Sequence, residues 1–191
     1  MEELTDEEIS IKVQNGDTEA YGVLVERYEP KLKRYARRFL FDVEDSQDMV
    51  QDVFLKAFVN LRSFDPKQRF SPWIYRIAHN QFINAIKKKG REPLSFFDPD
   101  TLFPHPTTPD RADTAIQKEE LKVMMDAYVG KLEPKYREPL VLYYYEDLDY
   151  QTISEVLHIP TSTVGVRLNR AKKALQTIYE QANSLLNHNN D

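Results

Sequence analysis

Cationic and amide side chains cluster near the C-terminal end of the chain. They are Arg167, Asn169, Arg170, Lys172 and Lys173. Arginine can bond bidentately to guanine, asparagine to adenine, and lysine to phosphate. A short helical pattern, a turn at residues 158–161 and a longer helical pattern bring these side chains together, as in a helix-turn-helix whose second helix enters the major groove. This spacing predicts duplex DNA binding, whereas a basic face alone would indicate only a solvated helix surface.

A second group of residues combines aromatic rings with polar and cationic side chains. Its members are Phe64, Lys67, Arg69, Phe70, Trp73, Tyr75, Arg76 and Asn80. Such a mixture suits single-stranded nucleic acid, because bases stack on rings while cations hold the phosphates. The alternative is that Phe70 and Trp73 belong to the core and that Asn80 is only solvated. The residues by themselves leave both interpretations open.

A third group is acidic and lies on one predicted helix. It comprises Glu44, Asp45, Asp48 and Asp52, with Gln47 and Gln51 between them. Acidic residues in a first turn complement the helix dipole, which is the simpler explanation. However, the group continues for two turns, and the four-residue spacing of Asp48 and Asp52 places like charges together at a cost in stability. That locally unfavourable choice favours a surface for a partner.

The chain shows no pattern of an enzyme. Its four histidines are scattered, and none stands at a metal-ligand spacing with acidic residues. There is no phosphate-binding glycine loop and no nucleophile motif, and the absence of cysteine excludes disulfides and thiolate metal sites. We therefore predict no catalytic residue, no metal site and no cofactor.

Composition and charge define the broad class of protein. With 41% hydrophobic and 30% charged residues, the chain can build packed cores. A net charge of −5 argues against a polycation that coats nucleic acid. No apolar run approaches the ~18 residues of a membrane span, and the acidic N-terminus does not resemble a signal peptide. We expect a soluble cytoplasmic protein without membrane insertion.

Hydrophobic periodicity predicts an all-α fold in two small domains. In the domain expected over residues 1–90, Pro30 should kink or break a long helix, and a third helix should run from Glu44 to Leu61. Ser71 should cap a fourth helix with Pro72 at its first position.

The second domain is expected over residues 114–191. A helix beginning near Pro134 should tolerate Pro139 only in or near its first turn, and a short helix should span Tyr150–Leu157 before the final one. Between the two domains, the proline-rich residues 91–113 are predicted to form a linker, because neither a helical nor a strand period survives there.

Three segments, in order, resemble the bacterial extracytoplasmic-function (group IV) sigma factors. Glu44–Phe54 looks like the family's helix for core polymerase binding, and Phe70–Asn80 looks like its promoter-melting segment. Residues from Tyr150 to Ala171 look like its helix-turn-helix. The likeness extends over nearly the whole chain and includes the proline-rich stretch between the segments.

The resemblance implies a role for each segment. Asp45, Asp48, Gln51 and Asp52 would bind the clamp helices of the polymerase β′ subunit. The aromatic and basic group (Phe64, Lys67, Arg69, Phe70, Tyr75, Arg76, Asn80) would capture a flipped base of the minus-ten element. The helix-turn-helix group, with Thr163 added, would read the minus-thirty-five element as duplex. Further partners implied are the β flap of the polymerase and an anti-sigma factor.

The chain departs from the family pattern at a few positions. Ser162 replaces a usual glycine at the start of the recognition helix, Gly165 stands where a basic residue is typical, and His158 stands at a turn position usually held by glycine. Two other functions remain as alternatives. One is a helix-turn-helix regulator that acts without polymerase, which would leave the acidic group and the aromatic segment unused. The other is a helical nucleic-acid enzyme, which the missing catalytic site disfavours.

Overall fold

The computed structural model describes residues 4–40, 46–88 and 115–188. Every regular element within these ranges is a helix, as the periodicity predicts. The described residues form an N-terminal and a C-terminal compact unit, each with its own core. The predicted linker and the residues Glu44 and Asp45 lie outside the described residues.

The N-terminal unit contains four α-helices: α1 (Asp6–Gln14), α2 (Tyr21–Leu40), α3 (Ser46–Asn60) and α4 (Phe70–Lys88). Helix α3 packs against α2 and α4, and aliphatic and aromatic side chains of all three form the core. A capping box, which the spacing of Thr5 and Glu8 in the sequence predicts, closes the start of α1: the Thr5 hydroxyl accepts a bond from the Glu8 backbone N–H, and the Glu8 carboxylate accepts one from the Thr5 backbone N–H. A single 3-10 turn, Leu61–Ser63, leads from α3 into the loop before α4.

Two sequence-based expectations about this unit are wrong. Helix α2 continues through Pro30, so the break that the sequence allows there is wrong, while a kink stays a prediction; Tyr28 and Leu32, on either side of the proline, are both buried in the core. That burial outweighs the roughly 3 kcal/mol that a proline costs inside a helix. Helix α4 begins at Phe70 rather than after Ser71, and its first backbone N–H donates to the carboxylate of Glu7 at 2.8 Å.

The described residues from 115 onward form four further α-helices: α5 (Ala115–Tyr128), α6 (Pro134–Tyr144), α7 (Tyr150–Leu157) and α8 (Thr161–His188). Helix α8 packs against α5 and α6. The short helix α7 has the predicted bounds. Pro139 is the sixth residue of α6, so the expectation that it lies near the first turn is wrong; its buried ring packs in the core instead.

The turn between α7 and α8 follows a Schellman pattern. The Ile159 N–H donates to the carbonyl of Ser154 at 3.3 Å, and the Ser154 hydroxyl donates to the carbonyl of Ile159 at 2.6 Å. This turn requires a residue in the left-handed backbone region, and His158 takes that place with a φ of +53°. The structure thus explains the usual glycine at this position, because glycine reaches positive φ without a steric penalty.

Candidate nucleic-acid and protein interfaces

The acidic group lies on the exposed side of α3. Val50, Val53 and Ala57 turn the opposite side of this helix into the core, which leaves Asp48, Gln51 and Asp52 in solvent. Residues three and four apart on a helix are neighbours on one face. The structure therefore brings three of the four predicted polymerase-binding residues together, and the fourth, Asp45, lies outside the described residues.

Two apolar side chains extend this face toward the C-terminal end of α3. Leu55 is 65% exposed and Val59 is 74% exposed, and they follow Asp52 at spacings of three and seven residues. We call Asp48, Gln51, Asp52, Leu55 and Val59 the α3 face. Neither apolar member was predicted from the sequence to be functional. The sequence did contain an indication of their exposure. Neither residue fits the apolar period of the side of α3 that faces the core, so both must lie on its exposed side.

The apolar period of α3 predicts Phe58 on the core side of the helix, but the structure leaves it partly exposed. Its ring is 41% exposed and packs against the ring of Tyr21, with the centroids 5.0 Å apart. The Tyr21 hydroxyl donates to the carbonyl of Phe54 at 2.7 Å, and burial raises the pKa of this phenol well above its ordinary value. Tyr21 therefore stays protonated and ties α2 to α3.

The aromatic and basic group divides into a buried layer and an exposed layer. Phe64, Phe70 and Tyr75 lie in the core, at 4%, 0% and 1% exposure. The Trp73 ring is half-buried and lies 5.0 Å from Phe64 and 5.3 Å from Phe70, centroid to centroid. We therefore revise the role of the three buried residues: their rings support the surface instead of touching DNA, because a ring without exposed area cannot stack on a base.

The exposed layer is formed by the α3–α4 loop (residues 61–69) and one side of α4. Asp65 shapes the loop tip, since its carboxylate accepts the Lys67 N–H at 3.0 Å and its carbonyl accepts the Gln68 N–H at 2.9 Å. Lys67 and Arg69 are exposed on this tip. On α4, the half-buried Arg76 and the exposed Asn80 share a side with Trp73, at spacings of three and seven residues. The loop and α4 thus present cations, an indole and an amide.

The helix-turn-helix presents a narrower set of side chains than the sequence predicts. Arg167, Asn169 and Arg170 are half-buried on α8, and Lys173 is exposed. The ammonium of Lys172 lies 5.6 Å from the centroid of the Tyr144 ring on α6, within the range of a cation–π interaction.

Two further residues at the start of α8 are buried. Thr163 has 0% of its surface exposed, so its predicted contact with DNA is revised to a packing role. Gly165 is also buried.

The comparisons with known proteins match this arrangement. The family described as Sigma-70 region 2 matches residues 24–92, and that described as Sigma-70, region 4 matches residues 122–175. The "ECF RNA polymerase sigma factor SigW" of Bacillus subtilis (strain 168) is 33% identical over 179 residues, which cover 86% of this chain and 91% of SigW. The chain belongs to the extracytoplasmic-function sigma factor family.

Two solved structures share the fold of this chain. The structure of CnrH in complex with the cytosolic domain of CnrY covers 92% of this chain and 97% of that chain, at a TM-score of 0.68 and 24% identity. The sigma factor RpoE of Bartonella quintana, solved with the anti-sigma factor NepR, covers 84% of this chain and 96% of that chain, at a TM-score of 0.61 and 21% identity.

As a sigma factor, the protein binds core RNA polymerase and directs it to promoters. The likeness includes the N-terminal unit, so the alternative of a helix-turn-helix regulator that acts without polymerase is wrong. Members of this family are transcription factors rather than enzymes. None of the helices in the described parts of this sigma factor is long and apolar enough to span a membrane.

Proposed function

We propose that the α3 face is the surface through which this sigma factor binds core polymerase. The observation that carries the proposal is the alignment of two carboxylates, an amide and two exposed apolar side chains along one side of α3, whose other side is buried. Such a surface joins an apolar end to polar groups that fix orientation, and protein interfaces likewise combine apolar and polar parts. The resemblance assigns the clamp helices of the β′ subunit as the partner, and Asp45 as a further member of the surface.

The α3–α4 loop and the exposed side of α4 are proposed to bind the minus-ten element as a single strand. Lys67, Arg69 and Arg76 supply charge for phosphates, and Asn80 supplies both a donor and an acceptor for a base edge. Phe64, Phe70 and Tyr75 support this surface from the core. A base exposes its edge to Asn80 only after it leaves the duplex, so this contact belongs to promoter opening.

Helix α8 is proposed to read the minus-thirty-five element as duplex DNA through side chains that are at least partly exposed. Arg167, Asn169 and Arg170 carry the groups that recognise base edges, and Lys173 is placed for phosphate. Lys172 has a second role in this scheme, because its ammonium also lies over Tyr144. The β flap of the polymerase is the proposed partner of the same unit.

We propose the following organisation for the whole chain. Residues 1–90 form the domain for polymerase and minus-ten binding, residues 91–113 a linker, and residues 114–191 the domain for minus-thirty-five binding. The protein acts in the cytoplasm with the polymerase and has no catalytic centre of its own. An anti-sigma factor is a proposed partner, and the complex of the sigma factor RpoE with NepR supports it.

Site-specific photo-crosslinking of the holoenzyme tests these assignments together. A photoreactive residue at position 51 should crosslink to β′, one at position 67 to the minus-ten strand, and one at position 173 to the minus-thirty-five duplex. Val123, which is 56% exposed and belongs to none of these surfaces, is the control position. A crosslink from position 51 to DNA, or from position 67 to β′ alone, would contradict the proposal.

A further inference from the structure

We propose that α1 positions the α3–α4 loop for minus-ten reading, and that Gln14 and Glu7 are the positioning residues. The inference rests on the proposed function of the loop, and it concerns a helix to which neither the sequence analysis nor the family match, which begins at residue 24, assigns a role. It follows from three hydrogen bonds that connect α1 to the two ends of the loop.

Gln14, the last residue of α1, holds the beginning of the loop. Its side-chain amide donates to the carbonyl of Leu61 and to the carbonyl of Phe64, each at 2.8 Å. These two carbonyls lie on either side of the turn by which the chain leaves α3. One primary amide has two N–H donors, so Gln14 uses its full donor capacity on the loop backbone.

Glu7 holds the end of the loop from the opposite end of α1. Its carboxylate accepts the backbone N–H of Phe70, the first residue of α4. A carboxylate at a helix N-terminus satisfies an N–H that has no partner within the helix and also complements the helix dipole. Glu7 therefore fixes where α4 starts, and with it the register of Trp73 and Asn80.

Helix α1 itself is anchored to α2. The Asp6 carboxylate accepts bonds from Arg27 at 2.6 Å and from the Tyr28 hydroxyl at 2.5 Å. Burial, reinforced by the Asp6 hydrogen bond, raises the pKa of Tyr28, so the phenol remains a donor. Because α2 belongs to the core, the loop is connected through α1 to a rigid element.

The consequence is a loop held in place before DNA arrives. The cations on its tip, Lys67 and Arg69, depend for their position on the two ends that α1 holds. A loop that is already ordered loses less conformational entropy on binding, and this strengthens binding of the strand that fits. Gln14 and Glu7 act through the loop and do not touch DNA in this scheme.

The test uses holoenzymes that carry single substitutions in α1. Gln14→Leu removes both bonds at similar volume, and Glu7→Ala removes the acceptor. Glu7→Gln keeps an oxygen acceptor and should rescue. Lys12→Ala, at an exposed position of the same helix, is the matched control. A promoter is first mapped with the wild-type holoenzyme. One probe is a non-template oligonucleotide that carries the minus-ten sequence of this promoter. The other probe is the same oligonucleotide with the minus-ten bases scrambled.

The quantity measured is the affinity of the holoenzyme for the minus-ten oligonucleotide divided by its affinity for the scrambled oligonucleotide. Gln14→Leu and Glu7→Ala should each lower this ratio about five- to tenfold, while affinity for core polymerase stays within about twofold. Glu7→Gln and Lys12→Ala should keep the wild-type ratio. Combining Gln14→Leu with Lys67→Ala should cost less than the sum of the single effects, because both act on the same loop.

The outcomes separate this inference from the function on which it rests. If the wild-type ratio is large and Lys67→Ala lowers binding, but Gln14→Leu and Glu7→Ala leave the ratio unchanged, the positioning role is overturned and the loop function stands. Equal loss of affinity for both oligonucleotides, or additive effects in the double variant, would also overturn it. If wild-type holoenzyme does not distinguish the two oligonucleotides, the proposed function fails, and the inference fails with it.

Discussion

Asp48 and Asp52 lie one helical turn apart on α3, both exposed, with no core packing demanding either carboxylate. Like charges at this spacing destabilise a helix by about 0.2–0.5 kcal/mol. Only Asp48, in the first turn of α3, gains from the helix dipole in the free protein. The benefit of placing Asp52 beside it is therefore expected in a complex.

We predict that Asp48→Ala with Asp52→Ala weakens binding to core polymerase about tenfold and flattens its salt dependence, since interface charges act through screened attraction. The free energy of unfolding should change by less than about 0.5 kcal/mol, because relief of the like-charge repulsion offsets the lost interaction of Asp48 with the helix dipole. Titration of labelled sigma factor with core at several salt concentrations measures this. The control is Glu19→Ala with Glu26→Ala, which removes the same charge from exposed positions elsewhere in the unit. Equal effects of the two double variants would mean that only net charge matters.

The apolar end of the α3 face yields a second prediction. Leu55→Ala with Val59→Ala should weaken core binding about tenfold, because each buried apolar side chain contributes on the order of 1 kcal/mol or more at a well-packed interface. Stability of the free protein should change by less than about 0.5 kcal/mol, since both side chains are exposed. Val123→Ala provides the matched apolar control. Unchanged core affinity would confine the interface to the acidic half of α3.

Asn80 should act after DNA melting. We predict that Asn80→Ala slows promoter opening and leaves closed-complex formation unaffected, since a base edge is available only once the base is unstacked. Permanganate reactivity on duplex and pre-melted promoters measures opening. Asn84→Ala, one turn further along α4 and equally exposed, serves as the control. If Asn80→Ala bound a pre-melted non-template strand as tightly as wild type, the amide would have no part in capturing a base.

His158 provides a prediction about stability. Replacing it by glycine should raise the free energy of unfolding by about 0.5–1 kcal/mol. A non-glycine residue at a φ of +53° is strained by roughly 1 kcal/mol, and glycine relieves this strain. The greater freedom of glycine in the unfolded chain offsets part of the gain. Urea denaturation of the full chain followed by circular dichroism measures it. His158→Ala keeps the backbone strain and removes the imidazole, so it should not stabilise. A matching gain for alanine would trace the effect to the side chain.

The sequence was sufficient for the elements whose signal is local. The order of the helices, the Thr5–Glu8 capping box and the bounds of α7 follow from residues that are neighbours in the chain. The acidic side of α3 was also foreseeable, because Val50, Val53 and Ala57 define the buried side and leave the rest exposed.

The features that escaped prediction depend on residues far apart in the chain. The cap of α4 comes from Glu7, which lies 63 positions before Phe70. No local sequence pattern predicts a partner so far away in the chain. Pro30 stays inside α2 because residues before and after it, Tyr28 and Leu32, are buried in the core. This tertiary effect overrides the local propensity of proline to end a helix. The aromatic and basic group is likewise divided by packing, which buries Phe70 and leaves Asn80 exposed.

Mapping of transcript starts with reconstituted holoenzyme tests the central claim most directly. Core polymerase, genomic DNA and nucleotides are incubated with the wild-type chain, with the Asp48→Ala and Asp52→Ala double variant, or without sigma factor, and the RNA 5′ ends are sequenced. The account predicts a set of starts that appears only with the wild-type chain, shares spaced minus-ten and minus-thirty-five elements, and is strongly reduced with the double variant. Starts identical to those of core polymerase alone, despite a folded chain that binds DNA, would contradict it.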